Sequence, residues 1–374
     1  SGVTGIGAAL GATLTRGGSR SGAGSLTKLG DGTVVLGGSA SYAGGTTVDA
    51  GVLTAGNATA LGTAGTVTVK SGGTLNIADG ITLAAGTPIS LYGTLRGTGT
   101  AGYAGPVTLE AASARIDTPL AGDTLRLSAA MDGSGPLTKS GAGTLKLSGA
   151  NSYTGSTAIN GGTVFLNSGS RLPDFTVVSL PGATSTLDLN GTSQHIGSLD
   201  GSGTIKLGAG TLGVTQNVDG TFSGTIMDGG NLTKDGPATL TLTGPSSYTG
   251  ITTVDAGILS VASSGALGTS NVTVTSGATL NIADGVALTS PSSINLAGTG
   301  VTRSGASVGA LTGTGTASYS GNLVLSGVTG IGAALGDTLT LGGSRSGAGS
   351  LTKLGDGTVV LGGSASYAGG TTVD

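Results

Sequence analysis

The opening of this chain returns almost unchanged at its end. Residues 1–49 and 326–374 agree at 47 of 49 positions and differ only at Ala12/Asp337 and Arg16/Leu341. The offset is 325 residues, so the chain holds one long period and the first 49 residues of the next. Self-similarity of this kind is the mark of units that bury their apolar faces on one another, in which added repeats add length. The chain therefore reads as a window on a tandem array.

A shorter signature lies inside the period. It starts at Leu26 (LTKLGDGTVVLGGSASYAGGTTVDAGVL), Leu137 (LTKSGAGTLKLSGANSYTGSTAINGGTV), Leu232 (LTKDGPATLTLTGPSSYTGITTVDAGIL) and Leu351. The lysines Lys28, Lys139, Lys234 and Lys353 are spaced 111, 95 and 119 residues apart, which makes three unequal modules per period. A second signature links the first and third modules, ALGTAGTVTVKSGGTLNIADGITL from Ala60 and ALGTSNVTVTSGATLNIADGVAL from Ala266.

Each signature is made of short runs that alternate aliphatic and polar residues, such as Thr144-Leu145-Lys146-Leu147 and Thr74-Leu75-Asn76-Ile77, bounded by Gly or Asp-Gly. Period-two alternation with such boundaries is the pattern of strands and turns. The spacing predicts Leu145 and Leu147 inward with Lys146 outward, and the same facing for Leu75/Ile77, Leu240/Leu242 and Leu280/Ile282. Gly, Thr and Ser supply 78, 59 and 43 residues, and Gly at this density costs a helix about 1 kcal/mol per occurrence. The same composition resembles that of flexible linkers, but the regular recurrence of aliphatic strands and a net charge of only -3 argue for order.

With 3% aromatic residues a globular core would be poorly filled. A parallel β-solenoid needs only narrow columns of Val, Leu, Ile and Ala, with Gly at tight corners. Unequal modules suit it, because each holds a whole number of rungs while loops absorb the remainder. The expected fold class is all-β, a parallel β-helix forming a single elongated rod. At about 20 residues per rung and ~4.8 Å per rung it would have roughly 18 or 19 rungs and a length on the order of 90 Å. The expected organisation is one continuous solenoid over 1–374, with 1–325 as one period and 326–374 as the start of the next.

The run L-T-K-x-G-x-G-T-L-x-L-S-G-x-N-x-Y-T-G-x-T-x-[VI]-x-x-G-T-[LV], matched almost completely from Leu137 to Val164, resembles the autotransporter-associated β-strand repeat of bacterial surface proteins. The copies at Leu26, Leu232 and Leu351 match with substitutions, including Ala43 for Thr and, at Pro237-Ala238, Ala238 for the second Gly. The stretch TLDLNGTSQHIGSLDGSGTI from Thr186 is similar to a segment common in such passengers. The resemblance implies a right-handed β-helix that is exported and is extracellular or displayed at the bacterial cell surface. It implies architecture more strongly than activity. The absence of Cys suits a chain that threads an outer-membrane pore. The opening SGVTGIGAALG carries no signal-peptide pattern, as expected of a mature fragment or a piece of a longer protein.

Chemistry that needs clustered ionisable groups has little to draw on. His195 is the single His, Glu110 the single Glu, and nine of the 17 Asp precede Gly in turn contexts. Gly305-Ala306-Ser307-Val308-Gly309 matches the nucleophile-elbow pattern, and Gly97-Thr98-Gly99-Thr100-Ala101-Gly102 the dinucleotide pattern, but a chain so rich in Gly and Ser produces such matches by chance. His195, Ser198 and Asp200 lie too close along one strand and turn to converge as a triad. No catalytic, cofactor-binding or metal-binding residue and no cofactor is expected, and an enzyme is not. Tyr42, Tyr153, Tyr248 and Tyr367 repeat at one position and are expected to cap a loop, with the ring on a rung and the hydroxyl toward water or backbone. The lysines of the L-T-K signature are expected to point outward into solvent.

Near-neutral charge without a Lys/Arg cluster argues against nucleic acid and anionic membrane as partners. The uncharged stretch Ser304–Gly336 is too rich in Gly, Ser and Thr for a membrane span. The expected function is a structural and adhesive repeat segment of a giant surface or extracellular fibre protein, a stiff stalk or filament. Its expected partners are further copies of the repeat stacked end to end, in one chain or between subunits, and glycans of a cell surface or matrix. The alternatives are a glycan-active β-helix enzyme and a Thr-ladder ice- or crystal-binding solenoid.

Overall fold

The computed structural model describes residues 2–374, which divide into two compact units, Ser1–Asp188 and Leu189–Asp374. Every element among the described residues is a strand; there is no helix. Each unit is a parallel β-solenoid.

In the first unit, strands of successive coils stack on three faces. One face carries Val3–Gly7, Ser25–Leu29, Thr46–Val48, Val67–Val69, Ile89–Leu91, Val107–Leu109 and Met131–Gly133, all parallel. The register runs from Leu26 to Thr46 and from Thr46 to Val67, steps of 20 and 21 residues. On another face Leu125, Leu145 and Val164 lie in line, as do Leu127, Leu147 and Leu166. The columns are mostly aliphatic, and the second is extended by an aromatic ring, since Tyr103 pairs in register with Leu127 and is buried.

The second unit is built the same way, from pairs such as Thr239–Leu242 with Gly257–Val261 and Gly257–Val261 with Ala278–Ile282. Its one antiparallel element is a hairpin, Thr302–Arg303 against Ala306–Ser307. The two copies of the 49-residue repeat, one in each unit, fold alike. Val3 pairs with Ser25 as Val328 pairs with Ser350, and Thr13 with Thr33 as Thr338 with Thr358.

Alternation places the core as expected. Leu75, Ile77, Leu145, Leu147, Leu240, Leu242, Leu280 and Ile282 are all buried. Lys146 projects outward, its ammonium 5.6 Å from the centroid of the Phe165 ring in the next coil.

Corners are turned by glycine in the left-handed region. Gly51, Gly162 and Gly257 occupy one position in three modules, with φ of 64°, 65° and 63°. At Gly162 a Cβ would stand 2.2 Å from the Gly143 carbonyl oxygen, so both φ and space demand glycine there.

Three of the four signature lysines depart from expectation, while Lys353 is only half-buried. Lys28, Lys139 and Lys234 are wholly buried, not solvated. Lys139 Nζ donates to the carbonyls of Ser140, Gly141 and Gly161 at 2.6, 2.8 and 3.1 Å. Lys28 does the same with Leu29, Gly30 and Ala50, and Lys234 with Asp235, Gly236 and Ala256. The third acceptor in each set belongs to the residue just before the corner glycine. Positive-φ turns at Gly141 and after Gly161 aim these carbonyls inward, where an unpaired polar group costs ~1–3 kcal/mol. The three protons of one ammonium satisfy three of them. Burial pushes the Lys139 and Lys234 pKa down to about 8, with nearby Asp117 and Asp235 respectively pulling back up.

Three of the four signature tyrosines, Tyr42, Tyr153 and Tyr248, are buried, and Tyr367 is half-buried. Tyr42, Tyr153 and Tyr248 each bond to the Thr hydroxyl four residues on, Thr46, Thr157 and Thr252, at 2.7, 2.6 and 2.6 Å.

Candidate functional site

The first and third modules share a second signature, yet they differ where Leu91 is followed by Leu95 and Leu296 by Leu311. Four residues separate the first pair and fifteen the second. The surplus forms the Thr302–Ser307 hairpin. Two hydroxyls pin its base: Thr279 Oγ1 donates to the Gly309 carbonyl at 2.8 Å and accepts from the Val301 N–H at 3.0 Å. Thr299 Oγ1 donates to Ser307 Oγ at 3.0 Å.

Between hairpin and sheet lies a cleft of about 550 Å³, within the range of ~300–1,000 Å³ common to small-molecule sites. Asn281 organises its floor. The Oδ1 atom accepts from the hydroxyls of Thr312 and Thr314 at 2.8 and 3.0 Å, and Nδ2 donates to Ser260 Oγ at 3.1 Å. With their protons committed to Asn281, Thr312 and Thr314 present acceptor lone pairs. Ser260 and Ser307 each accept a bond and keep a proton to donate. Arg303 lines the cleft from the hairpin, and Ile258, Val308 and Leu354 supply apolar wall. The only carboxylate in the lining is Asp337, whose Oδ1 accepts from the Gly315 N–H at 2.7 Å.

The first module has no such arrangement. Its counterpart of Asn281 is Asn76, whose Oδ1 is buried without a partner: Arg96 stands where the third module has Thr312, and Thr98, the counterpart of Thr314, donates to the Ile77 carbonyl instead. Arg96 instead pairs with Asp117 at 2.8 Å.

The motif matches fall out of catalytic consideration on their settings. Gly305–Gly309 lies on the hairpin and its flank, not at a strand-to-helix turn, and Ser307 is bonded to Thr299. Gly97–Gly102 joins two strands, Thr94–Gly97 and Thr100–Tyr103, with no helix N-terminus to receive a phosphate. His195 Nε2 bonds to Thr215 Oγ1 at 2.7 Å, while Ser198 Oγ donates to the Gly197 carbonyl. Among the described residues there is no group of His, Cys, Asp or Glu fit to hold a metal ion, and no helix long and apolar enough to cross a membrane.

Sequence reasoning passed over Arg303, Asn281, Thr312 and Thr314. The eleven-residue surplus between otherwise matching modules was the available signal, since insertions in a solenoid project as loops on its surface and often mark its binding face.

Residues 26–55, 137–164, 232–261 and 351–374 each match the model of the passenger-associated-transport-repeat family. The chain is similar to the adhesin BmaC autotransporter of Brucella suis biovar 1 (strain 1330), 36% identical over 159 residues, which are 41% of this chain and 5% of that protein. It is also similar to the uncharacterized protein YuaQ of Escherichia coli (strain K12), 44% identical over 85 residues, 22% of this chain and 6% of that protein. The chain thus spans a small fraction of the relatives it matches. No solved structure matches it. The repeats and the adhesin relative point to a passenger segment of an exported, surface-exposed protein and suggest a non-catalytic role.

Proposed function

We propose that the chain is a stiff stalk segment of a long bacterial surface protein, carrying adhesive contacts away from the envelope. The observation behind this is the identical strand register of the two 49-residue copies, Leu26 to Thr46 in one and Leu351 to Thr371 in the other. A second period can repeat the first coil for coil, so reach grows with copy number. In this proposal residues 1–325 form one period, 326–374 open the next, and consecutive periods stack as one uninterrupted solenoid within a polypeptide. The relative named as an adhesin supports the adhesive part of this reading.

Electron micrographs of chains carrying one, two and three periods test it. The expected particles are unbranched and lengthen by a constant increment per period. Compact particles, or periods joined by hinges at variable angles, would overturn the stalk. Incubation with polysaccharide panels tests the rival enzyme; turnover lost on Glu110→Gln would favour that rival.

A further inference from the structure

From the cleft under the Thr302–Ser307 hairpin we infer a binding site for an acidic saccharide, a sugar ring bearing a carboxylate. The inference deepens the adhesive half of the function proposed above, by naming a place and a ligand chemistry.

Two changes that separate the third module from the first occur together. The hairpin is inserted, and Thr312 stands where the first module has Arg96. An arginine at 312 would project from the floor into the space beneath the hairpin. Threonine leaves that space open and completes the bonding of Asn281, which in the first module's Asn76 is left with an unpartnered oxygen. Both changes work toward the same open, polar-floored cleft.

The floor then matches a carbohydrate in kind. A sugar hydroxyl donates and accepts at once. Here the donors Ser260 and Ser307 face the acceptors Thr312 and Thr314, with directions fixed by Asn281 and Thr299. The apolar wall of Ile258 and Val308 suits the C–H face of a ring.

Charge selects among sugars. Arg303 makes no ion pair among the described residues, whose two pairs are Lys70–Asp49 and Arg96–Asp117. Its guanidinium is available for the bidentate bond that a carboxylate accepts best. Asp337, the one opposing charge in the lining, already holds the Gly315 N–H. A single engaged carboxylate lacks the acid–base pair of two-carboxylate glycoside hydrolysis, which favours binding over hydrolysis in this cleft.

Calorimetric titration of the whole chain with tri-galacturonate, 3′-sialyllactose and neutral lactose tests the site. At least one acidic sugar should bind saturably, about tenfold or more tighter than lactose. Arg303→Gln should remove that preference, and Thr312→Arg, which restores the first module's residue, should abolish binding. Both positions are on the surface side of the sheet, and circular dichroism checks that the variants stay folded. Absence of saturable binding to either acidic sugar, equal binding of lactose, or binding unchanged in Arg303→Gln would each overturn the site. Micrographs of multi-period chains are independent of this titration, so a rod that binds no acidic sugar would sink the site and leave the stalk standing.

Discussion

Lys139 Nζ lies 3.1 Å from the Gly161 carbonyl oxygen, one coil further along the chain and immediately before the corner glycine Gly162. A buried charge here links two coils through the backbone. Its counter-groups are dipoles turned inward by positive φ at Gly141 and Gly162, not a carboxylate.

Lys139→Met keeps length and apolar bulk while removing all three donors. The carbonyls of Ser140, Gly141 and Gly161 would lose their side-chain partner, with a net cost of ~2–4 kcal/mol after partial relaxation. Lys146→Met, on the outward face, should cost about 0.5–1 kcal/mol through loss of its contact with Phe165. Urea denaturation of the two variants measures the difference, and equal midpoints would mean that the cage contributes nothing.

The facing of these lysines was legible in the sequence and was misread. In Leu26-Thr27-Lys28 the alternation that sends Leu26 inward sends Lys28 inward too. The preference of ammonium groups for water argued otherwise, and it gave way because the corner glycines create an acceptor site that single-strand patterning does not reveal. Core positions such as Leu145 and Ile77 were legible because only their own strand's alternation decides them. The cleft was not, because the hairpin's seat on Thr279 brings together residues from coils far apart in sequence.

The buried lysines and tyrosines set opposite pH slopes. Lys139 and Lys234 have folded pKa values near 8 against an ordinary 10.5, so between these limits the unfolded chain binds more protons and stability rises with pH. Burial raises the pKa of Tyr153 and Tyr248, so above an ordinary value of 10.0 the unfolded chain loses protons that the folded chain keeps, and stability falls. Stability should therefore peak at about pH 10. The carbonyl cage favours the ammonium and flattens the rising limb. Urea midpoints measured from pH 7 to 11 should show that maximum, and the rise should shrink in Lys234→Met.

Tyr153→Phe removes one hydroxyl from a buried pair. Thr157 Oγ1 keeps a second contact, with Thr176 Oγ1 at 3.2 Å, so its loss is partly compensated. The expected cost is ~1 kcal/mol, whereas Tyr153→Ala should cost ~3–5 kcal/mol because a fully buried ring leaves a cavity. Denaturant melts should separate the two by at least twofold; similar costs would place the energy in the hydroxyl pair.

Leu147→Asp tests how far a defect travels along the first unit. Leu147 is 1% exposed and stacked in register between Leu127 and Leu166. A carboxylate there has no partner within its column and would cost several kcal/mol, on the order of 3–5, even after its pKa rises. Coils touch only their neighbours, so the strain should open the flanking coils and spare distant ones. Hydrogen exchange should show lost protection around residues 124–127 and 162–166, with protection at Leu53 and Leu75 retained. Uniform loss throughout the unit would show that its coils fold as one cooperative block, and unchanged protection around Leu147 would contradict its place in the core.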